Sequence, residues 1–132
     1  MNRNAGRLIF FNGTVMRRQP AHDNLRSAQF LRPVRTASKY RLFSIRDKYP
    51  AMIATSDRDG ISVPGELYFV PDEAWAEIEE SEPYGLFCDR VELSGGEVVF
   101  GMLGTPTLVI EQGSDISFAE GWVAYIGGTT TE

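Results

Sequence analysis

Leu8-Ile9-Phe10-Phe11 is an apolar run of strand length that stops at Asn12-Gly13-Thr14. It predicts a buried first strand running into a sharp turn. The polar residues 1–7 before it are expected to fray. Residues 19–30 are mixed, and Ala21, Leu25 and Ala28 recur at helical spacing, which predicts one short helix or turn. Residues 30–34 lead into a strand carried by Tyr40, Leu42, Phe43 and Ile45. Asp47-Lys48-Tyr49-Pro50 turns the chain into another short strand over 51–54, and residues 56–60 form a loop. The clearest strand covers 62–70, with Pro64 near its start or at a sheet edge. Asp72, as N-cap, opens a helix over 73–80 whose apolar stripe is Trp75 and Ile78, and Pro83 stops it. Residues 91–93 and 98–100 flank Ser94-Gly95-Gly96-Glu97 as a hairpin. Residues 101–104 extend its second arm, and 107–111 predict a further short strand. Ile116, Ala119, Val123 and Ile126 predict a last amphipathic helix anchored by Trp122 and weakened by Gly121. Six or seven short strands with two or three helices predict a small α+β fold with a curled or barrel-like sheet.

The chain has 132 residues, which predicts a single domain over 1–132. Its composition, 42% apolar and 23% charged, is that of a soluble globular protein. No apolar run reaches the length of a membrane span, and the N-terminus lacks the pattern of a signal peptide. Cys88 is the single cysteine, so no internal disulfide forms, which fits a reducing, cytoplasmic setting. Cys88 has no local catalytic signature and reads as a buried, inert thiol.

Charge changes the picture more than composition does. Residues 1–50 hold eleven of the thirteen basic residues and two acids; residues 51–132 hold sixteen acids and two bases. The basic half is not concentrated on one element, and the whole chain is acidic at −5, which argues against a nucleic-acid surface. The expectation is that the halves interleave and neutralise each other. A basic lining for an anionic small ligand fits as well.

Two segments carry candidate chemistry. A turn at Asn12-Gly13-Thr14-Val15 can leave backbone N–H groups free to form an anion-binding nest, with Arg17 and Arg18 adding positive potential. An ordinary turn gives the same pattern. Glu82 stands at the end of a helix rich in acids, beside Glu79 and Glu80. The negative end of the helix, like charges and partial burial would each raise its pKa, which suits general acid/base work. A solvated acidic face also looks like this. His22, the single histidine, lies in a polar segment near Arg17; it is a candidate to bind the substrate or, in place of Glu82, to protonate its nitrogen, and a surface position is the other reading. No metal-ligand spacing, phosphate loop or nucleotide fingerprint occurs, so no cofactor is implied.

The order of motifs resembles the γ-glutamylcyclotransferase-like superfamily. A strand runs into Asn12-Gly13-Thr14-Val15, then come Thr36-x-x-x-Tyr40-x-Leu42, Tyr49-Pro50-Ala51, Gly65-Glu66-Leu67-Tyr68 and an acidic helix ending at Glu82. The resemblance is closer still to the C-terminal domain of allophanate hydrolase and spans nearly the whole chain. It is carried by Gly13-x-x-Met16-x-x-Gln19-Pro20, Arg35-Thr36-Ala37-x-x-Tyr40-Arg41-Leu42, Pro83-Tyr84-Gly85-Leu86, Val91-x-Leu93-x-x-Gly96 and, most specifically, Asp115-Ile116-Ser117-x-x-x-Gly121-Trp122-x-Ala124-Tyr125. The superfamily implies a loop at residues 12–15 that cradles a substrate carboxylate and a glutamate, Glu82, that moves a proton. The allophanate branch implies a small ureido or carbamate-type acid as substrate and a separate amidase as partner. Cyclisation of γ-glutamyl amines and a non-catalytic binding module are the alternatives. Asn12, Thr14 and Val15 stand where the superfamily's loop has Tyr, Ser and Leu, and Cys88-x-Arg90 where it has Tyr-x-Arg.

Overall fold

The computed structural model describes residues 5–56 and 58–127. The chain runs β1 (Gly6–Phe11), a single 3-10 turn (His22–Leu25), β2 (Gln29–Arg35), β3 (Tyr40–Ile45), β4 (Tyr49–Ala54), β5 (Pro64–Pro71) and α1 (Asp72–Glu80). It continues through β6 (Leu86–Glu92), β7 (Val98–Gly104), α2 (Pro106–Gln112), β8 (Gly113–Asp115) and α3 (Gly121–Gly127). Five strands form one sheet in the order β2-β5-β1-β7-β6, and three form a second in the order β4-β3-β8. The fold is α+β, with mixed pairing in the larger sheet: β1 runs parallel to β7, with Ile9 opposite Phe100, and antiparallel to β5.

From Leu8 onward the first strand is apolar, and its last three residues are buried because both of its faces are covered there. Successive side chains point to opposite sides of a strand. Phe10 therefore joins a core with Leu42, Met52, Leu67, Leu103 and Trp122. Ile9 and Phe11 join a second core with Val15, Met16, Leu25, Tyr68, Ala74 and Ile78, beneath α1 and the loop that follows β1. The two sheets meet where Gly104 of β7 passes Ala51 of β4, so closely that a Cβ at 104 would stand 2.8 Å from that of Ala51.

Part of the charge asymmetry resolves into pairs. Arg17–Glu66, Arg32–Glu97, Arg35–Glu120, Lys39–Glu92 and Arg41–Asp115 each join a base from the first fifty residues to an acid from the rest. Four of the five lie on or beside β2 and β3, which carry the basic side chains to the acidic later strands and loops.

Several expectations need correction. Gly6 and Arg7 already belong to β1, while residues 1–4 lie outside the described residues. Residues 29–35 form a strand, not a lead-in: β2 is an edge strand, where Pro33 costs no ladder bond, and it bulges between Phe30 and Arg32. Pro71, not Asp72, occupies the N-cap of α1, and no side chain caps it; Asp72 and Glu73 instead lie in the first turn and favour the dipole. Residues 107–111 are helical. Thr105 Oγ1 accepts from Leu108 N at 3.2 Å and Pro106 fills the first turn, a start signal that outweighs the β-branched residues after it. Ile116 and Ala119 fall before the last helix, which begins at Gly121. That residue starts the helix rather than weakening it: its φ is +91°, and a Cβ there would meet Pro64 Cγ at 2.5 Å. Of the loop at 56–60, Asp57 lies outside the described residues. No described helix is long and apolar enough to cross a membrane.

Candidate active site

The loop after β1 leaves the sheet at Phe11 and folds back on itself. Met16 N donates to Gly13 O, and Ala21 N donates to Thr14 O. The amides of Gly13, Thr14 and Val15 have no acceptor among the described residues, so three successive donors stay available at the end of a buried strand. The turn uses no left-handed residue at Asn12 or Gly13; further along, Arg18 takes φ 69°. Gly13 is needed for a different reason. A Cβ there would stand 2.8 Å from the Pro50 ring, so only glycine lets the loop close on the start of β4. Asn12 is buried, and its amide nitrogen points to Met52 Sδ at 3.6 Å.

Two side chains pin the far end of this loop. Glu66, on β5, accepts from Arg17 N at 3.0 Å, from Arg17 Nε at 3.0 Å and from Tyr68 Oη at 2.9 Å. The Arg17 guanidinium also stacks over Phe30, 3.8 Å from the ring centroid. His22 Nδ1 lies 2.9 Å from Val15 O. A carbonyl only accepts, so Nδ1 carries the proton. Arg17 and His22 thus brace the loop from behind and are not among the residues that line the hollow in front of it.

That hollow, a narrow cleft of about 20 Å³, is lined by Asn12, Gly13, Thr14 and Val15 together with Phe11, Tyr49, Pro50, Glu82, Pro83, Leu86 and Met102. Residues seventy positions apart in sequence therefore share one wall. The Glu82 backbone N–H closes the end of α1 on Glu79 O, and its carboxylate has no hydrogen bond or ion pair among the described residues. Burial alone pushes its pKa up to about 7. The acids beside it in sequence do not contribute, because Glu79 and Glu80 sit on the exposed face of α1. A carboxyl group poised near neutrality can both accept and return a proton. Among the described residues no group of three or more His, Cys, Asp or Glu stands close enough to hold a metal ion. Cys88 is half-buried, and burial raises its pKa, which keeps it a thiol.

The sequence reading missed Tyr49 as a wall of the hollow. Its hydroxyl reaches Tyr84 O at 3.4 Å, tying β4 to the turn after Glu82. The Tyr49-Pro50-Ala51 motif was the available signal. Leu86 and Met102 carry no local signal, since only the pairing of β6 with β7 brings them here.

Comparison with known proteins agrees with this architecture. Residues 7–127 match the family model described as the allophanate hydrolase C-terminal domain. A solved structure of c4763, a uropathogenic E. coli-specific protein, is 33% identical, with 93% of this chain and 97% of that one covered at a TM-score of 0.88. Kluyveromyces lactis allophanate hydrolase superposes with a TM-score of 0.89 at 24% identity, over 94% of this chain; the match spans 21% of that enzyme's length. An AIG2-like protein of Mus musculus has the same fold at a TM-score of 0.58 and 21% identity, with 78% of each chain covered. No curated protein matches the sequence. The chain belongs to the allophanate hydrolase C-terminal domain family, within the γ-glutamylcyclotransferase-like fold.

Proposed function

We propose that this protein is an acid/base enzyme that acts on a small carboxylate of the ureido or carbamate type. The observation that carries the reading is that Glu82, held near neutrality by burial, lines one hollow with Gly13, Thr14 and Val15, whose amides have no acceptor among the described residues. The amides bind the substrate's anionic end, and Glu82 serves the nitrogen beside the bond that breaks. For an N-carboxylated substrate, Glu82 protonates that nitrogen as the C–N bond breaks. The bonding electrons go to nitrogen, and carbon dioxide leaves. For a γ-glutamyl amine, the same group takes a proton from the α-amine as it attacks the γ-carbonyl. It returns the proton to the departing amine as 5-oxoproline forms. Both routes need one carboxyl group that exchanges a proton at neutral pH, and the likeness to the allophanate hydrolase C-terminal domain favours the first.

The test is turnover of a panel of ureido, carbamate and γ-glutamyl acids by the native protein and by Glu82→Gln. General acid/base catalysis contributes roughly 10²–10⁴-fold, so turnover falls by that factor while carboxylate binding to the loop persists. Equal turnover by both proteins rejects the assignment of Glu82. Carboxylate binding with no turnover of any panel member by the native protein supports a binding module instead. A separate amidase is the partner this reading implies, because the matching region of the K. lactis enzyme is a fifth of a longer chain.

A further inference from the structure

Glu82 borders more than one hollow. Together with Pro83 and Leu86 it also lines a second, larger hollow of about 480 Å³, bounded by the Pro83-Tyr84-Gly85 turn and by α2. Gly85 takes φ +94°, and a Cβ there would stand 2.9 Å from Leu108 Cδ2, so the turn lies tight against the helix and fixes the width of the gap. Thr105, Thr107, Leu108, Glu111 and Gln112 complete the wall. Its chemistry differs from that of the first hollow. Leu86, Leu108 and Pro83 give an apolar floor. The charged side chains of the lining are Glu82 and Glu111, both acids. Glu111 is exposed and has no ion pair among the described residues.

The structure assigns this second hollow to an alkylammonium group carried on the nitrogen side of the substrate. The substrate then spans Glu82: its carboxylate rests on the amides of residues 13–15 and its reacting nitrogen faces Glu82. An aliphatic stem lies along Leu108, and its ammonium meets Glu111. An apolar stem ending in a cation matches an apolar floor with an acidic rim, where a second carboxylate would meet only repulsion. This inference rests on the acid/base reading of Glu82, which makes the two hollows one path.

Amide NMR titrations of the whole protein test it, with n-butylamine, the uncharged n-butanol and glutarate as separate probes. Butylamine is expected to shift the Thr105, Thr107, Leu108 and Gln112 amides, and glutarate those of Gly13 to Val15. Glu111→Lys, an exposed change that leaves the core untouched, weakens butylamine about fivefold or more and leaves glutarate unchanged. The assignment is overturned if butanol binds as well as butylamine, if Glu111→Lys has no effect, or if butylamine shifts nothing in residues 105–112. Butylamine binding with no glutarate response at residues 13–15 overturns the acid/base reading, and with it the spanning substrate, but leaves the cation in the second hollow.

Discussion

Replacing Glu82 by Gln should raise stability relative to the native protein progressively as the pH rises. The group's ordinary pKa is 4.5, and burial raises it to about 7. Between those values the folded state binds a proton that the unfolded state has released. Folding is therefore progressively penalised as pH rises from 4.5 to 7, and the penalty levels off above. A shift of this size corresponds to roughly 3 kcal/mol in full, at about 1.4 kcal/mol for each pH unit. Gln cannot ionise and escapes the penalty, although burying its amide adds a constant cost of about 1–2 kcal/mol. The diagnostic is the slope, since that constant cancels and the other carboxylates titrate alike in both proteins. Urea unfolding at pH 5, 6, 7 and 8 measures it. The stability of the variant minus that of the native protein should rise by about 2 kcal/mol or more from pH 5 to pH 8. A difference that stays flat across this range would mean the carboxylate is hydrated in the folded protein, and the reasoning fails. A rise would mean that the chain retains a destabilising carboxylate, the kind of cost a reactive site carries.

Other changes test the frame around the site. Gly13→Ala forces a Cβ to 2.8 Å from the Pro50 ring; overpacking of this kind costs about 1–3 kcal/mol, and glutarate shifts at the loop amides should vanish. Glu66→Ala removes the acceptor shared by Arg17 N, Arg17 Nε and Tyr68 Oη. Urea unfolding should read a loss of about 2–4 kcal/mol, with faster hydrogen exchange through residues 12–17. His22→Ala frees Val15 O and should cost about 1 kcal/mol in the same assay. Thr105→Ala deletes the cap on α2, a loss of about 1 kcal/mol by thermal unfolding.

The parts legible in the sequence are those set by local pattern. The run at residues 8–11, the strand at 62–70, the helix before Pro83 and the hairpin around Gly95 and Gly96 all follow from periodicity and turn chemistry. The failures have two causes: tertiary packing overrode local preference at β2, and a local cap overrode residue-type preference at α2. β2 is largely exposed and interrupted by Pro33, yet it pairs because the exposed edge of β5 accepts it. Thr107, Val109 and Ile110 favour a strand by type, yet the cap at Thr105 sets a helix. At the site, Glu82 and residues 12–15 were each visible as candidates. Their meeting was not, because it depends on α1 turning the chain back over the end of β1. The roles of Arg17 and His22 depend likewise on Glu66 and on the Val15 carbonyl, partners that no spacing rule connects to them.

The most direct test of the account is a ¹³C NMR titration of the Glu82 side-chain carboxyl, run without and with saturating glutarate. The account predicts a midpoint near 7 in the free protein. It predicts a higher midpoint with glutarate bound, since a second anion in the same hollow disfavours the charged form. A midpoint near 4.5, or one that glutarate does not move, would show that Glu82 and the residue 12–15 loop do not form one site.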